Sequence, residues 1–185
     1  SVSRLQVLLP GEVALPGSAN GKQGTPNTLT AGVTFYVTVN ATDNYWNRKS
    51  DYEDTNGARI ETTDLYDIHP ATQSLSAGTT VFPVMLVSKG NSHRIYAIDT
   101  SIAPDGYFLM NGTSSVASVT PKIDDLSELK LQILVPGETT AEGKWDNGVN
   151  QPPYGKTGTP SARTAGGVFN VTANLVDKFW NRVDS

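Results

Sequence analysis

The chain has 185 residues, 14 Lys and Arg against 18 Asp and Glu, a formal charge of −4 and no cysteine. That balance argues against a nucleic-acid binder, which needs clustered cations for phosphate. The missing cysteines exclude disulfides, thiolate catalysis and Cys-ligated zinc, and no apolar run reaches the ~18 residues that span a bilayer.

In chain order, the first predicted strand is residues 4–9, apolar at Leu5, Val7 and Leu9 and stopped by Pro10-Gly11. Residues 11–30, rich in Gly, Pro, Asn, Ser and Thr, read as a loop with one short extended piece at its end. Residues 33–42 follow as a strand. Phe35, Val37 and Val39 alternate with Tyr36, Thr38 and Asn40, the period of two of a strand with one wet face. Residues 43–48 read as a turn, because Asp and Asn side chains bond their own backbone. Residues 51–57 read as an acidic loop. Further strands fall within 58–68, 79–88, 93–99 and 114–122, with 89–92 as a turn. Pro83 lacks an N–H and consigns its stretch to a sheet edge or a bulge. Residues 124–129 are the one candidate helix, a single turn long.

The chain then repeats itself. Leu5-Gln6-Val7-Leu8-Leu9-Pro10-Gly11-Glu12 returns as Leu131-Gln132-Ile133-Leu134-Val135-Pro136-Gly137-Glu138, and Gly21-Lys22-Gln23-Gly24-Thr25-Pro26 as Gly155-Lys156-Thr157-Gly158-Thr159-Pro160. Residues 30–48 return as 164–182, with 11 of 19 positions identical. The offset grows from 126 to 134, so the second copy carries eight extra residues between Glu138 and Gly155. Such a period exceeds the roughly 20–50 residues of a solenoid repeat and matches a whole domain. The predicted fold class is all-β: tandem immunoglobulin-like antiparallel β-sandwiches, the second copy incomplete. Residues 1–124 are one complete unit of about seven strands; residues 125–185 are the first half of a second. Half a sandwich leaves the Phe169, Val171 and Ala173 face without its opposing sheet. The leading explanation is a window onto a longer array, followed by completion from a neighbouring chain through strand addition or exchange, and then a terminus with a disordered tail.

Thr30-Ala31-Gly32-x-x-Phe35-x-Val37-Thr38-Val39-x-Ala41-x-Asp43-x-x-Trp46-Asn47 resembles a signature of bacterial immunoglobulin-like repeats in giant surface proteins and adhesins, a group that includes invasin-type and filamin-like sandwiches. Leu75-x-Ala77-Gly78-Thr79-x-x-Phe82-x-Val84-x-Leu86 and Lys89-Gly90-x-x-x-x-Ile95-x-Ala97-x-Asp99 are similar to the strand, Gly turn and returning strand of such repeats. The chain departs from them at Trp46 and Trp180, where related repeats often carry Gly, and at Pro83. The resemblance implies an architecture and leaves function open, because these folds host many roles.

The residues offer little for catalysis. His69 and His93 are the two histidines; each reads as a solvent-exposed turn residue, and neither lies in a Gly-x-Ser-x-Gly context. Glu12 and Glu138 recur after Pro-Gly and read as acceptors for loop N–H groups rather than as a glycosidase pair. Asp43, Asp51, Glu53, Asp54 and Asp99 are oxygen donors in or near loops, the chemistry that calcium would take. Without an Asp-x-Asp-x-Asp-Gly loop, a solvated acidic loop is the preferred reading, and no other cofactor is implied. Trp46 and Trp180, each preceded by an aromatic (Tyr45, Phe179), suit a platform for glycan or partner protein. Their repetition favours a structural role instead, as turn anchors under a stacked Arg48 or Arg182. Asn40, Asn111 and Asn170 begin glycosylation sequons, and Asn40 and Asn170 are expected on polar strand faces. Lys130 aligns with Arg4, which cannot form an isopeptide, so a repeat-wide crosslink is not expected.

The expected protein is therefore a non-enzymatic structural repeat of an extracellular or cell-surface protein or filament, working as a stalk, fibre or spacer. Its partners would be neighbouring repeats or identical subunits. The alternative is a carbohydrate- or protein-binding adhesion module using the Trp-containing end.

Overall fold

The computed structural model describes residues 2–100 and 111–184. The first copy holds β1 (Arg4–Leu8), β2 (Glu12–Ala14), β3 (Lys22–Gly24), β4 (Leu29–Thr30), β5 (Phe35–Thr42), β6 (Asp54–Thr62), β7 (Gln73–Leu75), β8 (Thr79–Val84), β9 (Gly90–His93), β10 (Ile95–Asp99), β11 (Asn111–Thr113) and β12 (Ala117–Thr120). A 3-10 turn, Leu126–Glu128, leads into the second copy, with β13 (Lys130–Leu134), β14 (Glu138–Thr140), β15 (Lys156–Gly158) and β16 (Thr172–Val176).

The fold is all-β and of sandwich type. One sheet runs β1-β5-β8 and another β11-β10-β6-β7, both antiparallel; a smaller third, β4-β12-β9, contains a parallel β4–β12 pair. The alternation in β5 decides what goes inside. Phe35, Val37, Val39 and Ala41 join Leu5 and Val7 of β1 and Phe82 and Val84 of β8 in one buried cluster. Ala58 and Ile60 of β6, Ile95 and Ala97 of β10, and Leu29, Ala117 and Val119 of the third sheet complete it. Removal of this apolar area from water is the main term holding the layers together. β8 is an edge strand, as Pro83 requires; Pro83 lies opposite Tyr36, where its missing N–H costs the sheet least.

Several sequence expectations need correction. Residues 11–30 contain a true hairpin, β2–β3, besides the short extended piece β4. The acidic stretch at 51–57 is loop only to Glu53, since β6 starts at Asp54; and most of the predicted turn 89–92 belongs to strand β9, which runs on to His93 and pairs with β12. In each case tertiary pairing overrides weak local strand propensity. The strand predicted within 58–68 ends at Thr62, and Leu65 beyond it is exposed.

The second copy rebuilds what it has sequence for. β13 pairs β16 with Leu131 opposite Leu175 and Ile133 opposite Ala173, as β1 pairs β5 with Leu5 opposite Ala41 and Val7 opposite Val39. β14–β15 repeats β2–β3, with Glu138 opposite Gly158 as Glu12 is opposite Gly24. β16 starts at Thr172, three residues later than the position equivalent to the start of β5. In the first copy that stretch is held by β8.

Candidate functional site

The two copies carry the same polar clamp. Gln6 Nε2 donates to the Gly21 carbonyl (2.7 Å) and Asn40 Nδ2 to Gln6 Oε1 (2.9 Å). Gln132 Nε2 donates to Gly155 (2.7 Å) and Asn174 Nδ2 to Gln132 Oε1 (2.8 Å). Glu12 accepts from Leu9 N–H (2.9 Å) and pairs with Lys22; Glu138 accepts from Val135 N–H (3.0 Å) and pairs with Lys156. Both glutamates thus accept loop N–H groups, as their recurrence implies. Lys156 beside it holds the Glu138 carboxyl below the ordinary range.

The turn that closes β5 and β16 also recurs. Asp43 Oδ1 accepts from Tyr45 N–H (2.8 Å) and Asn47 N–H (2.9 Å), and Asn47 Nδ2 reaches Asp43 Oδ2 (2.9 Å). Asp177 Oδ1 accepts from Phe179 and Asn181 N–H groups (both 2.9 Å), and Asn181 Nδ2 reaches Asp177 Oδ2 (3.0 Å). The tryptophan inside each turn is left-handed, φ 66° at Trp46 and 69° at Trp180, a conformation costly outside glycine and held here by the surrounding bonds. Each indole lies flat on a glycine. A Cβ on Gly21 would sit 2.3 Å from the Trp46 ring, and one on Gly155 2.4 Å from the Trp180 ring. The cations stacked over them are Arg4 (4.6 Å) and Lys130 (3.8 Å). This corrects the expected Arg48 and Arg182, which stand at the far side of the turn. Burial draws the Lys130 ammonium below its ordinary pKa.

What differs is the surroundings. Tyr45 is 72 % exposed; its counterpart Phe179 is 2 % exposed and belongs to the core of the first copy. The Phe179 ring covers Gly32, where a Cβ would fall 2.0 Å from it, and meets Trp145 edge-on at 5.0 Å. Asp177 and Asn181 are both fully buried. Asp177 Oδ2 accepts the Lys122 N–H (2.8 Å). The Asn181 amide grips one backbone segment at two points, accepting from Lys89 N–H (2.7 Å) and donating to the Val87 carbonyl (2.8 Å). Buried Asp64 fixes that segment, taking the Val87 and Ser88 N–H groups at 2.7 and 2.8 Å. An ion pair between Lys89 and Asp184 and a bond from Arg182 N–H to Glu142 (3.0 Å) close the rim. The 177–181 turn is therefore a plug seated in the end of the first copy. The sequence showed that this turn repeats but not that one copy of it is buried. The eight-residue insertion was a visible signal, since it lies in the segment that carries Trp145.

The acidic candidates stay dispersed. Asp43 serves its own turn, Asp51 pairs with Lys49 (3.2 Å), and Glu53 accepts the Ala77 N–H (2.7 Å). Asp54 accepts the Asn56 N–H (3.0 Å) and is buried, as is Asp99, and both carboxylates act on the Tyr52 phenol. Burial, with these two carboxylates, pushes the Tyr52 phenol up to about 12. Among the described residues no three His, Asp or Glu side chains come together as a metal-holding group. His93 is corrected: it ends β9, and its Nε2 is buried. His69 is exposed, 3.4 Å from Asp67. The Asn40 sequon is also corrected. Asn40 is 6 % exposed, its amide nitrogen committed to Gln6, because the 15–21 loop covers that strand face. Asn111 is exposed within β11, and Asn170 is exposed ahead of β16 rather than on a strand.

Comparison with known proteins finds no match, neither a family model, nor a curated protein, nor a solved structure. Among the described residues no helix is long and apolar enough to cross a membrane.

Proposed function

We propose that this chain is a stretch of tandem immunoglobulin-like β-sandwich units from an extracellular or cell-surface structural protein, acting as stalk, fibre or spacer. One observation carries the reading. The repeated turn is buried as a plug in the second copy, so one unit ends by receiving the next. A chain whose units only hang on a flexible linker has no use for a fully buried Asp–Asn pair at the joint, since each buried polar group must find its bond there. Packing of Trp46 and Trp180 onto glycine supports structural use of these rings over a glycan platform. Calcium is no part of the proposal, because among the described residues no three of the carboxylates that suggested it come together.

The test is rigidity. Weak alignment of the full chain in NMR should give one alignment tensor for residues 4–99 and 130–184, and Asn181→Asp should split it in two. Two tensors in the native chain would refute the locked-joint reading. Antibodies to residues 1–124 should label intact source cells; labelling only after permeabilisation would refute the surface assignment.

A further inference from the structure

We infer that the exposed turn Asp43–Asn47 is a second plug, and that its socket is the end of another unit of the same kind joined ahead of Arg4. This rests on the tandem reading above and names the partner. The case is an internal comparison. The turn is already folded as the buried one is: Asp43 holds the Tyr45 and Asn47 N–H groups as Asp177 holds those of Phe179 and Asn181. Asp43 N–H reaches Asn47 O at 3.1 Å, and Asp177 N–H reaches Asn181 O at 3.0 Å. The loop behind each is the same too, with Gly17 N–H on Tyr45 O (2.7 Å) and Gly143 N–H on Phe179 O (3.1 Å). An aromatic is presented in both, 72 % exposed in one and 2 % in the other.

The occupant follows from what the buried plug touches. It needs a glycine for the ring to cover, as at Gly32; a backbone N–H and C=O two residues apart for the Asn amide, as at Lys89 and Val87; and a backbone N–H for the Asp, as at Lys122. All three belong to the far end of the first unit. Within this chain that end is filled by Phe179, so the socket for Tyr45 belongs to another unit. Lys130 follows the 3-10 turn after one residue, Leu129, and stands at the position of Arg4, each stacked on its tryptophan. A unit joined ahead of Arg4 through the same linker would bring its socket to Tyr45 as residues 1–129 bring theirs to Phe179. Between Gly17 and Gly21 the first copy has no room for a Trp145 counterpart. The rim beside Tyr45 is therefore open, and a phenol hydroxyl can stay in water there.

The experiment places a further copy of residues 1–129 ahead of Arg4 of the full chain and follows amide hydrogen exchange. Exchange at Tyr45 and Asn47 should slow by about tenfold or more relative to the parent, and Asn47→Asp should abolish the slowing while leaving the protected amides of β5 unchanged. Unchanged exchange at Tyr45 and Asn47, with the added unit folded, would overturn the inference. An added unit that stays unfolded on a folded parent overturns it too, since Tyr45 would then have failed to complete the end that Phe179 completes here. The parent separates this from the wider reading. If Phe179 and Asn181 are protected in the parent but Tyr45 and Asn47 are not in the extension, only the inference fails. If Phe179 and Asn181 exchange freely in the parent, the tandem reading itself fails.

Discussion

The first copy carries β1 to β12 and the second only β13 to β16, the counterparts of β1, β2, β3 and β5, so one strand pair can be seen in two environments. Leu5 is almost fully buried while Leu131, at the same position, is 69 % exposed; Phe35 is buried and Phe169 is 48 % exposed. The hydrogen-bond register of β1–β5 and β13–β16 is nevertheless the same. Pairing and the Gln–Asn–Gly clamp are therefore local properties of the repeat, whereas burial comes from the strands that follow. The turn reverses the contrast: it is exposed in the first copy and buried in the second.

The largest effect that would break this comparison is at the plug. Phe179→Ala should destabilise the second copy by about 3–5 kcal/mol, while Tyr45→Ala should change stability by no more than about 0.5 kcal/mol. Urea unfolding followed by tryptophan fluorescence reads both, Trp46 lying beside Tyr45, and Trp145 and Trp180 beside Phe179. Equal costs would mean that the two turns are not in different environments. Asn181→Asp comes next, at about 2–3 kcal/mol, because a carboxylate cannot donate to the Val87 carbonyl and would face Asp177. Asn47→Asp should cost less, at most about 1 kcal/mol by the same assay, because it loses the bond to Asp43 and faces that carboxylate in water, with no buried backbone partner to lose. Gly32→Ala should cost about 1–2 kcal/mol and loosen the joint selectively, as seen in exchange at Phe179, because its φ is 69° and the new methyl meets the ring. The smallest effect is on pH. Glu138 is depressed below its ordinary value of 4.5 by Lys156, so its contribution is present in full above that value and is lost as pH falls through the lowered one. NMR chemical shifts of the β14–β15 hairpin should move in that acid window, and Glu138→Gln should remove the movement.

How much of this could be read from the residues varies with the kind of evidence. The alternation in β5 and the edge role of Pro83 follow from period and from a missing N–H, and both were legible. β9 was not, because Gly-Asn-Ser-His has turn chemistry and is a strand only through its pairing with β12. Asn40 reads as surface by alternation. Only the folding of the 15–21 loop over Gln6 makes it interior, and a loop's landing place has no periodicity to betray it. The stacked cations are a similar case. Arg48 and Arg182 are the sequence neighbours of each tryptophan, yet the side chains that arrive are Arg4 and Lys130, from the strands paired alongside. The plug was the least legible feature. Its two copies differ at two positions, Asn44 for Lys178 and Tyr45 for Phe179, and their surroundings lie outside the turn.

The second copy is held to the first by a covalent linker, by the seated turn, and by the segment 142–145, whose Glu142 carbonyl takes the Ser88 hydroxyl (3.2 Å) and whose Trp145 packs on the core. Under tension, the linker of residues 121–129 transmits the load while the plug sees little of it. Under bending, the plug becomes the lever that resists, and Asn181 and Phe179 are where a lateral force would be felt first.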